Sequence, residues 1–162
     1  MKRILMAALA AALLAGAAVS GPAASAAEPA AQTVTPASAI PSVSAGSGHF
    51  TGRVRMETLF GPAGTFTAYG AGVTFEPGAR THWHIHHAAQ VLIVTAGAGY
   101  VGKWGKPPIA LRAGDVVFCP PEVKHWHGAG PKTAMTHIAI SQTGSDPVTW
   151  LEPVADSLYP EA

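Results

Sequence analysis

The chain has 162 residues, a length that suits one domain, and only 12% of them are charged. Its formal net charge of +1 at pH 7 gives no electrostatic reason to expect a nucleic-acid partner or an anionic membrane surface. The 18 glycines and 14 prolines are far more than a helical bundle tolerates, so the composition favours a β-rich fold with many turns. The single cysteine, Cys119, excludes an internal disulfide, and we expect a buried, unreactive thiol.

The first 26 residues have the pattern of an export signal. A basic start, Lys2-Arg3, precedes an apolar run rich in Ala and Leu at residues 4–19 and a small-residue cleavage site, ASA, at residues 24–26. A membrane anchor is the alternative, but the run is short and rich in alanine for a spanning helix. We therefore predict a periplasmic or secreted protein that has no membrane attachment once residues 1–26 are removed.

Residues 27–47 (AEPAAQTVTPASAIPSVSAGS) combine Pro, Ala, Ser and Thr with almost no charge and no periodicity. Such a segment cannot bury enough apolar surface to offset the entropy lost on ordering, so we predict a flexible linker. The folded domain is then expected to occupy residues 48–162.

From residue 48 onwards, short apolar runs rich in β-branched and aromatic residues alternate with Gly and Pro turns. These runs are FTGRVRMETLF, AGVTFEPG, AAQVLIVTAGAGYV, DVVFCPP and TAMTHIAISQ. Apart from a short stretch after Pro153, no segment keeps a helical spacing. The pattern predicts an all-β, single-domain antiparallel sandwich or barrel, a class that includes jelly rolls, with a short helical or irregular C-terminal tail.

Two groups of closely spaced histidines indicate a metal site. Side chains alternate between the faces of a strand, so His84 and His86 point to one face, and Gln90 follows at a further even offset. The pair His125 and His127 repeats this spacing later in the chain. Neutral imidazoles and an amide oxygen suit Mn, Fe, Co, Ni, Cu or Zn and leave positions open for a substrate. A His-X-His pair alone is a weak signal, since two solvent-facing histidines on a strand are ordinary.

The surrounding spacing resembles the two motifs of the cupin superfamily, whose fold is a jelly-roll β-barrel. Residues 78–97 read GARTHWHIHHAAQVLIVTAG, and residues 114–125 read GDVVFCPPEVKH. The resemblance implies that four residues hold a divalent metal: His84, His86, Gln90 and His125. The second motif is not complete, because Glu122 replaces its glycine and Ala129 its asparagine.

Gln90 stands where cupins usually have a glutamate. An amide leaves the ion with its full charge, which makes it a stronger Lewis acid and disfavours a trivalent state. We therefore expect a non-redox role with Mn(II) favoured, while Zn(II) and Fe(II) stay possible. The alternative interpretation is that Gln90 coordinates in the same geometry without any mechanistic consequence.

Residues 49–159 further resemble small bacterial cupins that act as manganese-dependent hydroxynitrile lyases, most specifically in the string KHWHG…TAMTHIAI. The resemblance implies a lyase that cleaves or forms cyanohydrins, with a small-molecule substrate whose hydroxyl lies at the metal. It also implies that His137 is the base, and that His127 and Thr81 orient the hydroxyl or the departing cyanide. A homo-oligomer, a dimer or a tetramer, is the assembly that it implies.

Other functions stay open from the sequence. A quercetinase-like dioxygenase has the same fold and an open metal position, although a glutamate in place of Gln90 is usual there, and the same holds for an oxalate oxidase. A non-catalytic exported cupin that captures a small ligand or a metal is equally compatible with the fold. His82 and His87 differ from the similar lyases, and His82 is a candidate for the mouth of the pocket.

Overall fold

The computed structural model describes residues 31–142 and 148–160. The chain separates into a unit of residues 1–34 and a unit of residues 35–162. In the first unit, residues 31–34 are exposed and have no secondary structure, and the predicted export signal lies outside the described residues. In the described part of the second unit, β-strands dominate, and none of its helices is long and apolar enough to cross a membrane.

Twelve strands and two short 3-10 helices make up this part of the chain. The strands are β1 (Ser42–Ser44), β2 (Phe50–Thr51), β3 (Val54–Phe60), β4 (Ala68–Phe75), β5 (Arg80–Thr81), β6 (His84–Ile85), β7 (Gln90–Lys103), β8 (Ile109–Arg112), β9 (Val116–Cys119), β10 (His125–Ala129), β11 (Met135–Gln142) and β12 (Thr149–Trp150). The 3-10 helices are Ala37–Ala39 and Asp156–Leu158.

The long strand β7 joins the two faces of the barrel. Its first half pairs with β11 and β9, and its second half pairs with β10 and β8, all antiparallel. Gly97 lies between these halves with a φ of 71°, and a Cβ at this position would lie 1.9 Å from the carbonyl oxygen of Ala134. Only glycine fits there. The predicted all-β jelly-roll barrel, with a largely irregular C-terminal tail, is confirmed.

Sheet pairing begins inside the segment that the sequence predicts as a linker. Strand β1 pairs with β3, and the hydroxyl of Ser42 donates to Oε1 of Glu57 at 2.5 Å. All three side chains of β1 are exposed, so backbone pairing and not burial holds this strand. The sheet therefore starts at Ser42, earlier than the predicted start of the domain at residue 48.

The main hydrophobic core packs against two histidines of the candidate site. Phe75 and Met135 are both 0% exposed within it, and burying side chains of this size contributes about 1.5–3 kcal/mol each. The ring of Phe75 lies 5.8 Å from that of His127 and 5.5 Å from that of His137, measured between centroids. Truncating Phe75 to Ala would cost about 3–5 kcal/mol of stability and would loosen both histidines.

Arg80 fastens the C-terminal tail to the barrel. Its buried guanidinium donates to the carbonyl of Val154 at 3.1 Å, pairs with Asp156 and lies 4.5 Å from the ring centroid of Tyr159. The hydroxyl of Tyr159 in turn donates to the carbonyl of Ala129 on β10, at 2.5 Å. These contacts anchor the segment that follows β12, the strand that borders the candidate site.

Candidate metal centre and active site

Strand pairing brings the four predicted ligands together inside the barrel. His84 on β6 lies directly opposite His125 on β10, Gln90 begins β7, and His86 follows β6. All four side chains are buried, with exposures between 1% and 7%. The ring centroid of His84 lies 4.2 Å from that of His125 and 5.2 Å from that of His86. The spacing in the sequence therefore predicts a real cluster in space.

Backbone carbonyls set the orientation of two of these rings. Nδ1 of His84 donates to the carbonyl of His82 at 3.0 Å, and Nδ1 of His125 donates to the carbonyl of Val123 at 2.9 Å. Because Nδ1 carries the proton in both rings, each Nε2 keeps a free lone pair. Hydrogen bonds of this kind usually orient histidines that bind metals.

The acceptor atoms at this centre fit a bound cation. Oε1 of Gln90 lies 3.3 Å from Nε2 of His125, while the amide nitrogen of Gln90 donates to the hydroxyl of Ser141 at 3.5 Å. Nε2 of His86 is buried and has no hydrogen-bond partner among the described residues. A buried polar atom without a partner costs about 1–3 kcal/mol, and a cation held by these atoms removes that cost. Imidazoles with an amide oxygen suit a divalent first-row transition metal.

His127 lies as close to this centre as two of the predicted ligands. One ring nitrogen from each of His84, His125 and His127 lies within 4.8 Å of the other two. Nδ1 of His127 lies 3.0 Å from Nε2 of His137, so these two atoms share a proton. The Nε2 of His127 is then the nitrogen that remains for an ion or a substrate.

A β-bulge places His137 beside His127. The register between β11 and β7 shifts between Thr136 and His137, so that Thr95 has no residue directly opposite it. The hydroxyl of Thr95 donates to the carbonyl of Thr136 at 3.2 Å across this irregularity. Bulges change the direction of side chains, and His137 is 0% exposed here.

Thr81 fixes the backbone at His127. Its Oγ1 accepts a hydrogen bond from the backbone N–H of His127 at 3.1 Å, and its side chain is 1% exposed and lines the cavity beside the cluster. Because the oxygen acts as acceptor in this bond, the hydroxyl proton is free to be donated to another group.

Burial keeps the histidines of the cluster neutral. Desolvation lowers the pKa of His86 and that of His137 to about 4, and it lowers the pKa of His125. The pKa values of His84 and His127 lie well below the usual range, first because of desolvation and then because of neighbouring imidazoles. Neutral imidazole is the form that binds metals and accepts protons.

The cluster opens into a small cavity of about 100 Å³. Trp150 on β12 forms part of its wall, with its ring stacked on that of His49 at 4.3 Å and lying 4.8 Å from that of His84. Phe50 packs beside Trp150 at 5.7 Å and lines the same cavity. Sequence reasoning missed both aromatic residues, because they lie far from the motifs along the chain and follow no spacing rule.

His82 and His87 do not line this cavity. The side chain of His82 is buried, with 9% of its surface exposed. His87 contacts Oε1 of Glu122 at 2.7 Å and the hydroxyl of Thr149 at 3.1 Å. Glu122 has a φ of 61°, at the position where the motif has glycine, and its backbone N–H donates to the carbonyl of His86 at 2.9 Å. We call these residues the His87–Glu122–Thr149 clamp, because His87, the neighbour of His86 in the chain, contacts both the segment between β9 and β10 and strand β12.

Cys119 and three tryptophans lie away from the cavity lining. Cys119 is buried, and desolvation raises its pKa to about 11, as expected for an unreactive thiol. Trp83 and Trp126 belong to a separate buried cluster. Trp104 is 54% exposed, and the centroid of its ring lies 3.4 Å from the ammonium nitrogen of Lys124.

Comparison with known proteins points to one family. The family described as Cupin domain matches residues 72–141. The (R)-mandelonitrile lyase of Granulicella tundricola is 50% identical over 111 residues, which are 68% of this chain and 85% of that protein. A cupin-like protein of Thermotoga maritima has a TM-score of 0.68 and 45% identity, over 72% of this chain and 89% of that one. A cupin-2 domain of Rhodospirillum rubrum, 18% identical, has a TM-score of 0.62 over 74% of this chain and 80% of its own, and shares the fold.

Proposed function

The chain belongs to the cupin family, and we propose that it is a metal-dependent carbon–carbon lyase that splits a cyanohydrin into an aldehyde and hydrogen cyanide, or catalyses the reverse addition. Its similarity to an (R)-mandelonitrile lyase along most of that protein supports the reaction type. The observation that carries the proposal is the neutral His127–His137 pair, joined at 3.0 Å, in which His127 also lies within 4.8 Å of the ligating nitrogens of His84 and His125. The pair supplies a proton acceptor next to the position of an ion.

We propose that the ion is held by His84, His86, Gln90 and His125. The free lone pairs of these residues support the assignment, as does the hydrogen bond that turns the amide nitrogen of Gln90 towards Ser141 and away from His125. A divalent ion in such an uncharged ligand set lowers the pKa of a substrate hydroxyl beside it. We favour Mn(II), with Zn(II) and Fe(II) as alternatives, because neutral ligands do not stabilise a trivalent ion.

The histidine pair then moves the hydroxyl proton. Nε2 of His127 accepts this proton, while Nδ1 of His127 passes its own proton to Nε2 of His137. The carbon–carbon bond breaks, its electron pair leaves with the cyanide carbon, and the hydroxyl oxygen becomes the aldehyde oxygen. The proton returns along the same pair to cyanide, which leaves as hydrogen cyanide, so that both histidines are neutral again. The hydroxyl of Thr81, beside His127, orients the substrate by donating a hydrogen bond.

Cyanide release tests this function directly. The purified protein, loaded with Mn(II), is incubated with a panel of cyanohydrins that includes mandelonitrile and lactonitrile, and free cyanide is measured above the uncatalysed rate. We expect saturable release that a chelator abolishes and that Mn(II) restores. In the variant His137→Ala the rate falls about 100-fold or more while the metal content stays unchanged. Absence of release from the whole panel at full metal occupancy would overturn the proposal, and oxygen uptake with flavonols would point to a dioxygenase.

We also propose that the reaction takes place outside the cytoplasm. Support comes from the basic start, the apolar run and the small-residue site within residues 1–26. Sequencing the N-terminus of the protein recovered from periplasm or medium is expected to give Ala27 as the first residue. Recovery of the full-length chain in the cytoplasm alone would contradict export.

A further inference from the structure

Strands β7 and β11, which carry Gln90 and His137 on their inner faces, are apolar on their outer faces. Two rows of apolar side chains cross the sheet there, each formed by residues that lie directly opposite one another on β9, β7 and β11: Phe118, Val91 and Ile140 in one row, and Val116, Ile93 and Ile138 in the other. Side chains alternate between the faces of a strand, so all six point away from the barrel interior. We call these six residues the outer apolar patch.

The outer apolar patch is open to solvent in the single chain. Val116 is 65% exposed and Phe118 is 63% exposed, while the other four side chains are half-buried. The next strand, β4, continues the two rows with Gly70 and Gly72, which lie opposite the two isoleucines of β11, and the ring of Phe60 on β3 lies over Gly70. An uncharged apolar surface of this kind is typical of the core of a protein–protein interface and not of a solvated sheet face.

The sheet face around the patch is large enough for a stable contact between two proteins. It is five strands wide, from β9 through β7, β11 and β4 to β3, which makes about 24 Å at about 4.8 Å per strand. Strands β4 and β11 each have eight residues and therefore extend about 27 Å. The flat area of about 650 Å² is close to the roughly 800 Å² of accessible surface that each partner buries in a standard interface, and protruding side chains add to it.

A second copy of the chain suits this face. A two-fold axis brings the same patch from both copies together, so apolar side chains meet apolar side chains and no charge is buried alone. The border on β3 carries Arg55 and Glu57, charges of opposite sign, which give the apolar centre a polar rim that does not repel an identical one. The patch itself contains no lysine or arginine, the residues that attract an anionic membrane surface.

Pairing through the edge of this sheet is disfavoured. Among the described strands, β9 pairs with β7 alone, so its other edge is open. This strand has only four residues, and Pro120 and Pro121 follow it directly, so the edge offers a short ladder that a second strand cannot extend. An association of two chains is therefore expected through the flat outer face.

We infer that two copies of this chain form a two-fold symmetric dimer through the outer apolar patch, with Phe118 and Val116 buried in the contact. The dimer covers the apolar side chains that the single chain leaves in water. It also supports from outside the two strands that position Gln90 and His137, so the thermal stability of the protein rises with its concentration. The inference goes beyond the proposed function, since association does not depend on which reaction the site performs.

Sedimentation velocity over a range of protein concentrations tests the dimer, using the purified Mn(II)-loaded protein. We expect a species of twice the mass of one chain. In Phe118→Arg the contact would bury an unpaired charge from each copy, so the dissociation constant of the dimer is expected to rise about 100-fold or more. The matched control is Leu158→Arg, which places the same charge on a residue that is 48% exposed on the 3-10 helix Asp156–Leu158, and it should dimerise like the wild type.

A second variant, Val116→Lys, repeats the test if circular dichroism shows that Phe118→Arg fails to fold. A wild-type tetramer that Phe118→Arg splits into dimers would also support the contact, as one of two interfaces. A monomeric wild type would overturn the inference, as would an association that neither variant weakens. Flotation of a monomeric wild type with phosphatidylcholine vesicles would assign the patch to a membrane instead. A dimer that releases no cyanide from any cyanohydrin would leave the contact standing and overturn only the proposed function.

Discussion

Oε1 of Gln90 and Nε2 of His125 face each other at 3.3 Å, and in the arrangement that their other hydrogen bonds impose, both atoms are acceptors. Two buried lone pairs repel each other unless a proton or a cation lies between them. Burial lowers the pKa of His125, so a proton is disfavoured and a metal ion is the better partner. This contact is the strongest support for the cation that we propose at the centre of the barrel.

Replacing the amide by a carboxylate separates ion binding from catalysis. In Gln90→Glu the ligand gains a negative charge, so the divalent ion is expected to bind at least about tenfold more tightly, a gain of about 1.4 kcal/mol. The ion becomes a weaker Lewis acid, so cyanide release is expected to slow by about tenfold. Competition with a chelating dye measures the first effect, and the cyanide assay measures the second. Weaker binding or an unchanged rate would show that the uncharged ligand is not what sets the reactivity.

The two histidines of the proton-transfer pair are expected to respond differently to truncation. His127 lies within 4.8 Å of the ligand atoms of His84 and His125, whereas His137 is not a member of that group and contacts Nδ1 of His127 at 3.0 Å. His137→Ala should therefore lose cyanide release and retain its metal, while His127→Ala should lose activity and also bind the ion more weakly. Elemental analysis of both variants after identical loading provides the measurement. Loss of the metal from His137→Ala would assign that residue to ion binding instead of proton transfer.

Stability of the metal-free protein is expected to fall at acid pH. Histidines have a pKa of about 6.5 in the unfolded chain, whereas burial lowers the pKa of His86 and His137 to about 4 in the folded one. The unfolded state therefore binds more protons between these values, so stability that is complete above about pH 6.5 is lost as the pH falls towards about 4. Thermal unfolding in the presence of a chelator should show Tm falling by about 5 °C or more between pH 7 and pH 5. A constant Tm across this range would mean that these histidines are not buried and neutral.

The His87–Glu122–Thr149 clamp is expected to support the proposed ligand His86. In His87→Ala, Glu122 and Thr149 lose the imidazole that both contact next to His86. The affinity of the site for the ion should therefore fall about tenfold. Glu122→Gly is the matched variant, because it removes the carboxylate that His87 contacts and also relieves a backbone with a φ of 61°. Both variants should bind the ion more weakly, but only His87→Ala should also have a lower Tm. Equal ion affinities in the wild type and both variants would show that the clamp does not support the metal site.

Much of the fold follows from spacing in the sequence, because strand alternation and turn residues act over short distances, whereas the proposed ligand set rests on the resemblance to the cupin motifs. The two-residue offset between His84 and His86 predicts that their side chains lie together, and the surrounding glycines match the cupin motif. The proximity of Trp150 to His84 could not be predicted in this way, since it depends on how the C-terminal tail is fastened by Arg80.

Two further features escape sequence reasoning for physical reasons. The β-bulge at Thr95 shifts the register without changing the apolar pattern, so the contact of His137 with His127 is visible only in three dimensions. Strand β1 buries no side chain, so a prediction based on apolar burial assigns its residues to a linker. The size of the cavity also depends on packing from several strands and has no signature in any one of them.

Metal content per chain tests the account most directly. Protein loaded with Mn(II) and freed of excess ion is analysed by elemental mass spectrometry, alongside the double variant in which both His84 and His125 are replaced by Ala. We expect about one bound ion per wild-type chain and less than about a tenth of that in the variant. A wild-type protein that retains no divalent metal, or a variant that retains as much as the wild type, would contradict the proposed metal site.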